Sequence, residues 1–236
     1  MKACWVCLGV LCVGVSCVNA ATLFFDGTFN NADWNETKIV DSTNNGSFSA
    51  FQVASGGNPG PFRETNQSLN QGLLGVSHLR SMFAYNPSTQ GAITSIDVSY
   101  DLQEFAPLGG FEVVYGILAF QNNTYYIGPT ENLNQSSWTS FSHHGLTEAS
   151  FSDTFGASGP LGPGPATPDF AATGGAIEFG FFSGNTPIGG PFNTTSGIDN
   201  LSITINSIPE PASGGVISIG LGGLAILRWR LRESKC

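Results

Sequence analysis

Few residues in this 236-residue sequence are of a type and spacing that could carry out catalysis. Asp97 and Asp101 fall on one face of a strand-like stretch, which at about 3.3 Å per residue sets them about 13 Å apart. A glycosidase needs its two carboxyl groups roughly 5–9.5 Å apart, so this pair is expected to be a polar face in water. A hydrolase would need carboxylates from separate strands. His143 and His144 form the one histidine cluster. Neighbours on a strand point to opposite sides, so a metal there would need a further ligand such as His78 or Asp153. Gly-x-Ser-x-Gly, His-Glu-x-x-His, a phosphate-binding glycine loop and an EF-hand loop are all absent from the sequence. The expectation is a protein that is not an enzyme and needs no cofactor.

Binding offers more candidates than catalysis. Trp34, Trp138, Tyr125 and Tyr126 have the flat, rigid, apolar faces on which sugar rings stack, and extracellular polysaccharide is the partner such a platform implies. The competing and preferred role for these rings is to fill the core. Asp26 and Asp199 lie near the first and last strands, which pair in many sandwiches. A structural Ca²⁺ between them, completed by backbone carbonyls, is the metal site that this placement suggests. Cys4, Cys7, Cys12 and Cys17 lie in the first apolar run and Cys236 is the last residue, so no disulfide is expected in the middle of the chain.

The elements that must position these residues are short strands. Ile96, Val98, Tyr100 and Leu102 share one face of Thr94 to Leu102, and Ser95, Asp97, Ser99 and Asp101 share the other. Leu201, Ile203 and Ile205 alternate with Ser202 and Thr204. Phe111 to Phe120 is apolar almost throughout and is expected to be buried on both faces. A turn at Gln121-Asn122-Asn123 leads to a strand from Thr124 to Ile127, and Ile177 to Phe182 is another. Leu69 to Arg80 is expected to hold a turn or a short helix, and Gly156 to Pro168 a long surface loop. With 31 Gly and 13 Pro in the chain, this pattern predicts an all-β, antiparallel, two-sheet sandwich over residues 21–207.

The charge is uneven along the chain. Between Ala21 and Ile208 only Lys38, Arg63 and Arg80 stand against fifteen acidic residues, a net charge of −12. Such a middle cannot neutralise phosphates, which excludes a nucleic-acid partner. The remaining basic residues flank apolar runs. Lys2 precedes Ala3 to Val18, and a Val18-x-Ala20 site places signal-peptide cleavage between Ala20 and Ala21, so residues 1–20 are expected to be removed. At the other end Ala212 to Leu227 carries no charge and is expected to be a short transmembrane helix, followed by Arg228, Arg230 and Arg232. The arginine cluster holds the C-terminus inside and the signal peptide sends the middle out.

Residues 208–236 resemble the PEP-CTERM sorting signal of Gram-negative bacteria that secrete exopolysaccharide. Pro209, Glu210 and Pro211 match its motif, and Arg228, Arg230 and Arg232 its basic tail. The resemblance implies export through the signal-peptidase machinery and retention in the inner membrane. It then implies processing by an exosortase and transfer to the cell surface or a biofilm matrix. Three further stretches resemble jelly-roll domains of secreted bacterial proteins, including laminin-B-like and lectin-like sandwiches. These are Gly56 to Arg63, Tyr100-Asp101-Leu102, and Gly197-Ile198-Asp199-Asn200-Leu201-Ser202-Ile203.

Overall fold

A computed structural model describes residues 20–106, 112–153, 166–186 and 192–208. The expected signal peptide apart from Ala20, the Pro-Glu-Pro motif, the apolar segment, the arginine tail and most of the Gly156 to Pro168 loop lie outside these residues. Among the described residues no helix is long and apolar enough to cross a membrane.

The described residues form two six-stranded antiparallel sheets. Sheet A contains β1 (Ala20–Asp26), β3 (Ser47–Gly57), β4 (Gly60–Leu69), β6 (Ala92–Ala106), β9 (Thr139–Leu146) and β12 (Phe192–Ile208). Its order is β3-β4-β12-β6-β9, with β1 also paired to β12. Sheet B runs β10-β8-β7-β11-β5-β2. Its strands are β2 (Trp34–Asp41), β5 (Leu74–Tyr85), β7 (Glu112–Gln121), β8 (Thr124–Leu133), β10 (Ser152–Asp153) and β11 (Ile177–Thr186). A single turn of helix, α1 (Pro87–Gln90), joins β5 to β6.

Alternation decides which side chains lie between the sheets. Ile96, Val98, Tyr100 and Leu102 of β6, with Ile198, Leu201, Ile203 and Ile205 of β12, form one wall of the core. Tyr115, Ile117 and Ala119 of β7, with Ile177, Phe179 and Phe181 of β11, form the other. The strands expected over Thr94–Leu102 and Ile177–Phe182 are present and run further than expected, and the one expected over Phe111–Phe120 is present from Glu112 to Gln121, Phe111 lying outside the described residues. The hairpin between β7 and β8 turns through Asn122 and Asn123, at φ 51° and 62°. Two consecutive left-handed residues match the twist of the strands they join.

Leu69 to Arg80 meets its expectation in part: a turn at Asn70–Gly72 joins β4 to β5, but Leu74 to Arg80 is strand and not helix. Leu74, Val76 and His78 alternate inward with Gly75 and Ser77, and the Leu-Leu pair and glycines conceal that period. Gly75 permits a close approach: a Cβ there would press on Val40 and on the Phe182 ring.

The last described strand is an interior one. β6 flanks β12 along nearly its whole length. On the other edge β4 pairs with Phe192–Ile198 and β1 with Leu201–Ser207, end to end. Neither ladder uses Asp199 or Asn200, and the β6 register shifts there too. Asn200 takes φ 51° at this break.

β11 tolerates no side chain at Gly180, where the register against β5 shifts, because a Cβ would collide with the His78 carbonyl oxygen. Gly180→Ala is expected to cost about 3 kcal/mol by forcing β5 and β11 apart. Chemical denaturation of the variant beside the parent chain reads this cost, and an unchanged midpoint would contradict it.

Candidate functional site

Asp26 ends β1 and is buried. Its Oδ1 accepts the backbone N–H groups of Thr28 and Phe29 at 2.8 Å each and the Thr28 hydroxyl at 3.0 Å. Its Oδ2 accepts the Trp34 indole N–H at 3.0 Å and lies 3.4 Å from Arg80 Nε. Every approach to this carboxylate is taken by a donor or a cation. Ca²⁺ requires free oxygen lone pairs, so Asp26 has none left for the expected ion.

Asp199 shares none of the donors that surround Asp26. It lies under the β3–β4 hairpin tip, fully buried, and accepts the backbone N–H groups of Asn58 and Asn200 at 2.5 and 2.7 Å. Burial pushes its carboxyl pKa up, and the carboxylates of Asp101 and Asp26 act in the same direction against those two N–H groups. Asp101 pairs directly across from it. The Asp101 Oδ2 accepts the side-chain amides of Asn58 and Asn200 at 3.2 and 2.8 Å, and its Oδ1 accepts the Ser140 hydroxyl. The expected water-facing Asp101 is therefore corrected: it points out of sheet A but is buried, because the hairpin tip folds over it. The three stretches resembling jelly-roll domains meet here, through Asn58, Asp101 and Asp199. Among the described residues no group of three or more His, Cys, Asp or Glu side chains could hold a metal ion.

The aromatic candidates separate. Trp34 is only 4% exposed; it stacks on Phe29 at 5.5 Å between centroids and packs at a tilt against Phe181 at 5.3 Å. The Arg63 guanidinium sits over its ring at 5.6 Å. Tyr126 is buried in the same core. Neither ring can meet a sugar, because β2 and β8 direct them between the sheets. Tyr125 faces the other side of β8 and packs on Phe120 at 4.6 Å. Trp138 is half-buried on the outward face of sheet A. It packs edge-on against Phe62 and Phe105, with its indole N–H donated to the Gly56 carbonyl at 2.8 Å. Gly197 lies beneath these rings, with no room for a Cβ. The four residues do not form one platform.

His143 and His144 point to opposite sides as expected. His143 lies 3.2 Å from Glu131, and exposed His144 lies 3.5 Å from Asp97. His78 is far from solvent and stacks on Phe181 at 4.2 Å. Its Nε2 is 2.9 Å from Ser183 Oγ, an arrangement reminiscent of a nucleophile and its base. Both side chains are sealed between the sheets, so the pair cannot reach a substrate. Sequence spacing carries no sign of this pair, because 105 residues separate its members. Arg63, also fully buried, makes an ion pair with Glu36 across the sheets. Burial lowers the Arg63 pKa to about 10, which leaves it charged at neutral pH.

A cleft of about 270 Å³ opens over the outward face of sheet A. Three consecutive residues from each of three paired strands line it: 47–49 of β3, 66–68 of β4 and 193–195 of β12. Nothing in the sequence marks this patch, since its members come from separate strands and are common surface types.

Burial, reinforced by the Arg63 charge, holds the His78 pKa well below its ordinary 6.5. The unfolded chain therefore binds a proton that the folded chain refuses. Stability is full above about pH 6.5 and falls below it by about 1.4 kcal/mol per unit, until the depressed folded value is reached. His78→Leu is expected to flatten that acid slope in denaturation curves between pH 7 and 5. An identical slope in variant and parent would assign the acid loss to other groups.

No family model matches the chain, and no curated protein matches it. Several solved structures are similar in part. One is a carbohydrate-binding module described as from the β-sandwich superfamily, with a TM-score of 0.43 and 9% identity over 74% of this chain and 57% of that one. The chain thus spans somewhat over half the length of that protein. Another is TmCBM27, described as a mannan-recognising module, with a TM-score of 0.38 and 12% identity over 79% and 98%. A third is the K1 cleaved adhesin domain of Lys-gingipain from Porphyromonas gingivalis W83, at 0.41 and 10% over 77% and 97%. Likeness at this level assigns neither ligand nor activity to the chain.

Proposed function

We propose that this chain is an exported, non-enzymatic surface or matrix protein, sorted through its Pro209-Glu210-Pro211 motif by an exosortase. The observation that carries the reading is the position of the motif. β12 runs to Ile208, the residue before Pro209 in the sequence. β1 contains Ala20 and Ala21, the residues on either side of the expected signal-peptide junction. Ala20 pairs with Ser207, so the two processing junctions leave the sandwich side by side. Removal of residues 1–20 takes one residue from β1, and cleavage after Ile208 takes none from β12.

Two observations support a non-enzymatic role for the domain. The Ser183–His78 pair is closed off in the core. The Asp101 and Asp199 carboxylates are occupied by the hairpin tip, which holds the sheet together at its break. The acidic surface favours solubility outside the cell and disfavours polyanions.

Pro209→Ala combined with Glu210→Ala is expected to leave the full-length protein in the inner membrane of an exosortase-bearing host. Fractionation and the intact mass of the protein read this outcome. Normal cleavage and release of the double variant would overturn the sorting reading.

A further inference from the structure

We propose that the cleft over β3, β4 and β12 binds a neutral polysaccharide chain. The proposal deepens the reading of an outward-facing surface domain and rests on that reading for its setting.

Antiparallel pairing places six uncharged polar side chains on one face in two rows. Ser49, Asn66 and Thr195 make one row, and Ser47, Ser68 and Asn193 the next. Adjacent strands are about 4.8 Å apart, so each row spans about 10 Å. The first row is held in a fixed arrangement. The Thr195 hydroxyl donates to Asn66 Oδ1 at 2.6 Å, and Asn66 Nδ2 donates to Glu64 Oε1 at 2.9 Å. Because a carboxylate only accepts, Glu64 fixes which way the Asn66 amide faces. The second row is exposed, and among the described residues its side chains make no hydrogen bonds to protein. Free hydroxyls and an amide beside a pre-set amide suit a ligand dense in hydroxyl groups.

The apolar part of the site lies one residue pair further along the same strands. Phe51, 38% exposed, pairs opposite Glu64, and the Trp138 ring covers Gly197 on the other side of that row. Aromatic faces beside polar groups match the C–H face and hydroxyl rim of a sugar ring. The charge distribution selects among sugars. No basic residue lines the cleft, Glu64 borders it, and residues 21–208 carry −12. An anionic polysaccharide would be repelled and a neutral one would not. The cleft lies on the outward face of sheet A, whereas Tyr125 is on sheet B.

The test uses the full-length chain in a non-glycosidic detergent, titrated calorimetrically and by affinity electrophoresis. The probes are soluble galactomannan, xyloglucan, mixed-linkage β-glucan and dextran, with alginate as the anionic comparison. At least one neutral polymer is expected to bind and alginate not to bind. Asn193→Ala with Ser68→Ala, and separately Phe51→Ala, should weaken that binding at least tenfold. Tyr125→Ala should leave it unchanged. These surface variants are checked for an unaltered thermal transition, so loss of binding is not loss of fold. Failure of all four neutral polymers, equal binding of alginate, or binding indifferent to the cleft variants would overturn the proposal. Because sorting is read from cleavage in cells and binding from purified protein, either can fail without the other.

Discussion

The Asp26 carboxylate turns the chain from one sheet to the other. β1 belongs to sheet A and β2 to sheet B, and the loop between them is wound around this one side chain by two backbone N–H bonds. The same carboxylate holds the Trp34 indole at the start of β2 and faces Arg80 of β5. Arg80 in turn bonds Asp33 at 3.1 Å and covers the Phe83 ring at 4.8 Å. A buried charge is tolerated only when donors surround it, and bonds to a charged acceptor contribute about 1.5–3 kcal/mol each. The chain's crossover, its largest core ring and the place of Arg80 are therefore set by one group.

A second constraint follows from the position of β12. The strand that precedes Pro209 is also the one on which β1, β4 and β6 all pair. Sheet A cannot close until residues 192–208 are available. The break at Asp199 and Asn200, where β4 gives way to β1, is the weak point of that strand. It is covered by the Asn58 hairpin tip, which bonds both Asp199 and Asp101. Two buried carboxylates opposite one another repel, and the hairpin's N–H and amide groups offset that repulsion.

The two faces of sheet A have different work. Inward it carries the aliphatic wall of the core and, around Arg63 and Gln67, a polar layer that meets His78 and Ser183 of sheet B. Gln67 Nε2 reaches Ser183 at 3.3 Å. That layer resembles a reactive site in composition, yet its burial leaves it structural. Outward, residues with no distinguishing chemistry of their own form a pre-set polar cleft, because neighbouring strands bring them into rows.

Much of the sandwich was legible in the sequence. Ile96-Val98-Tyr100-Leu102 and Leu201-Ile203-Ile205 alternate clearly because each strand has one face in the core and one outside, and that demand acts on every second residue. The signals failed where another demand overrode alternation. β5 was hidden because Gly75 must yield to Phe182, and Trp34 was open to a surface role because an indole suits a core or a sugar equally well. Composition and order along the chain determined the all-β class, the acidic, cysteine-free middle and the terminal segments resembling export and sorting signals. These depend on local period and local charge. Only the tertiary structure decided that Asp26 is saturated, that Asp199 faces Asp101 and Asn58, and that Asn66, Asn193 and Ser49 share a cleft. Those juxtapositions are made by strand pairing across gaps of up to 141 residues, and sequence spacing carries no record of which strands will meet.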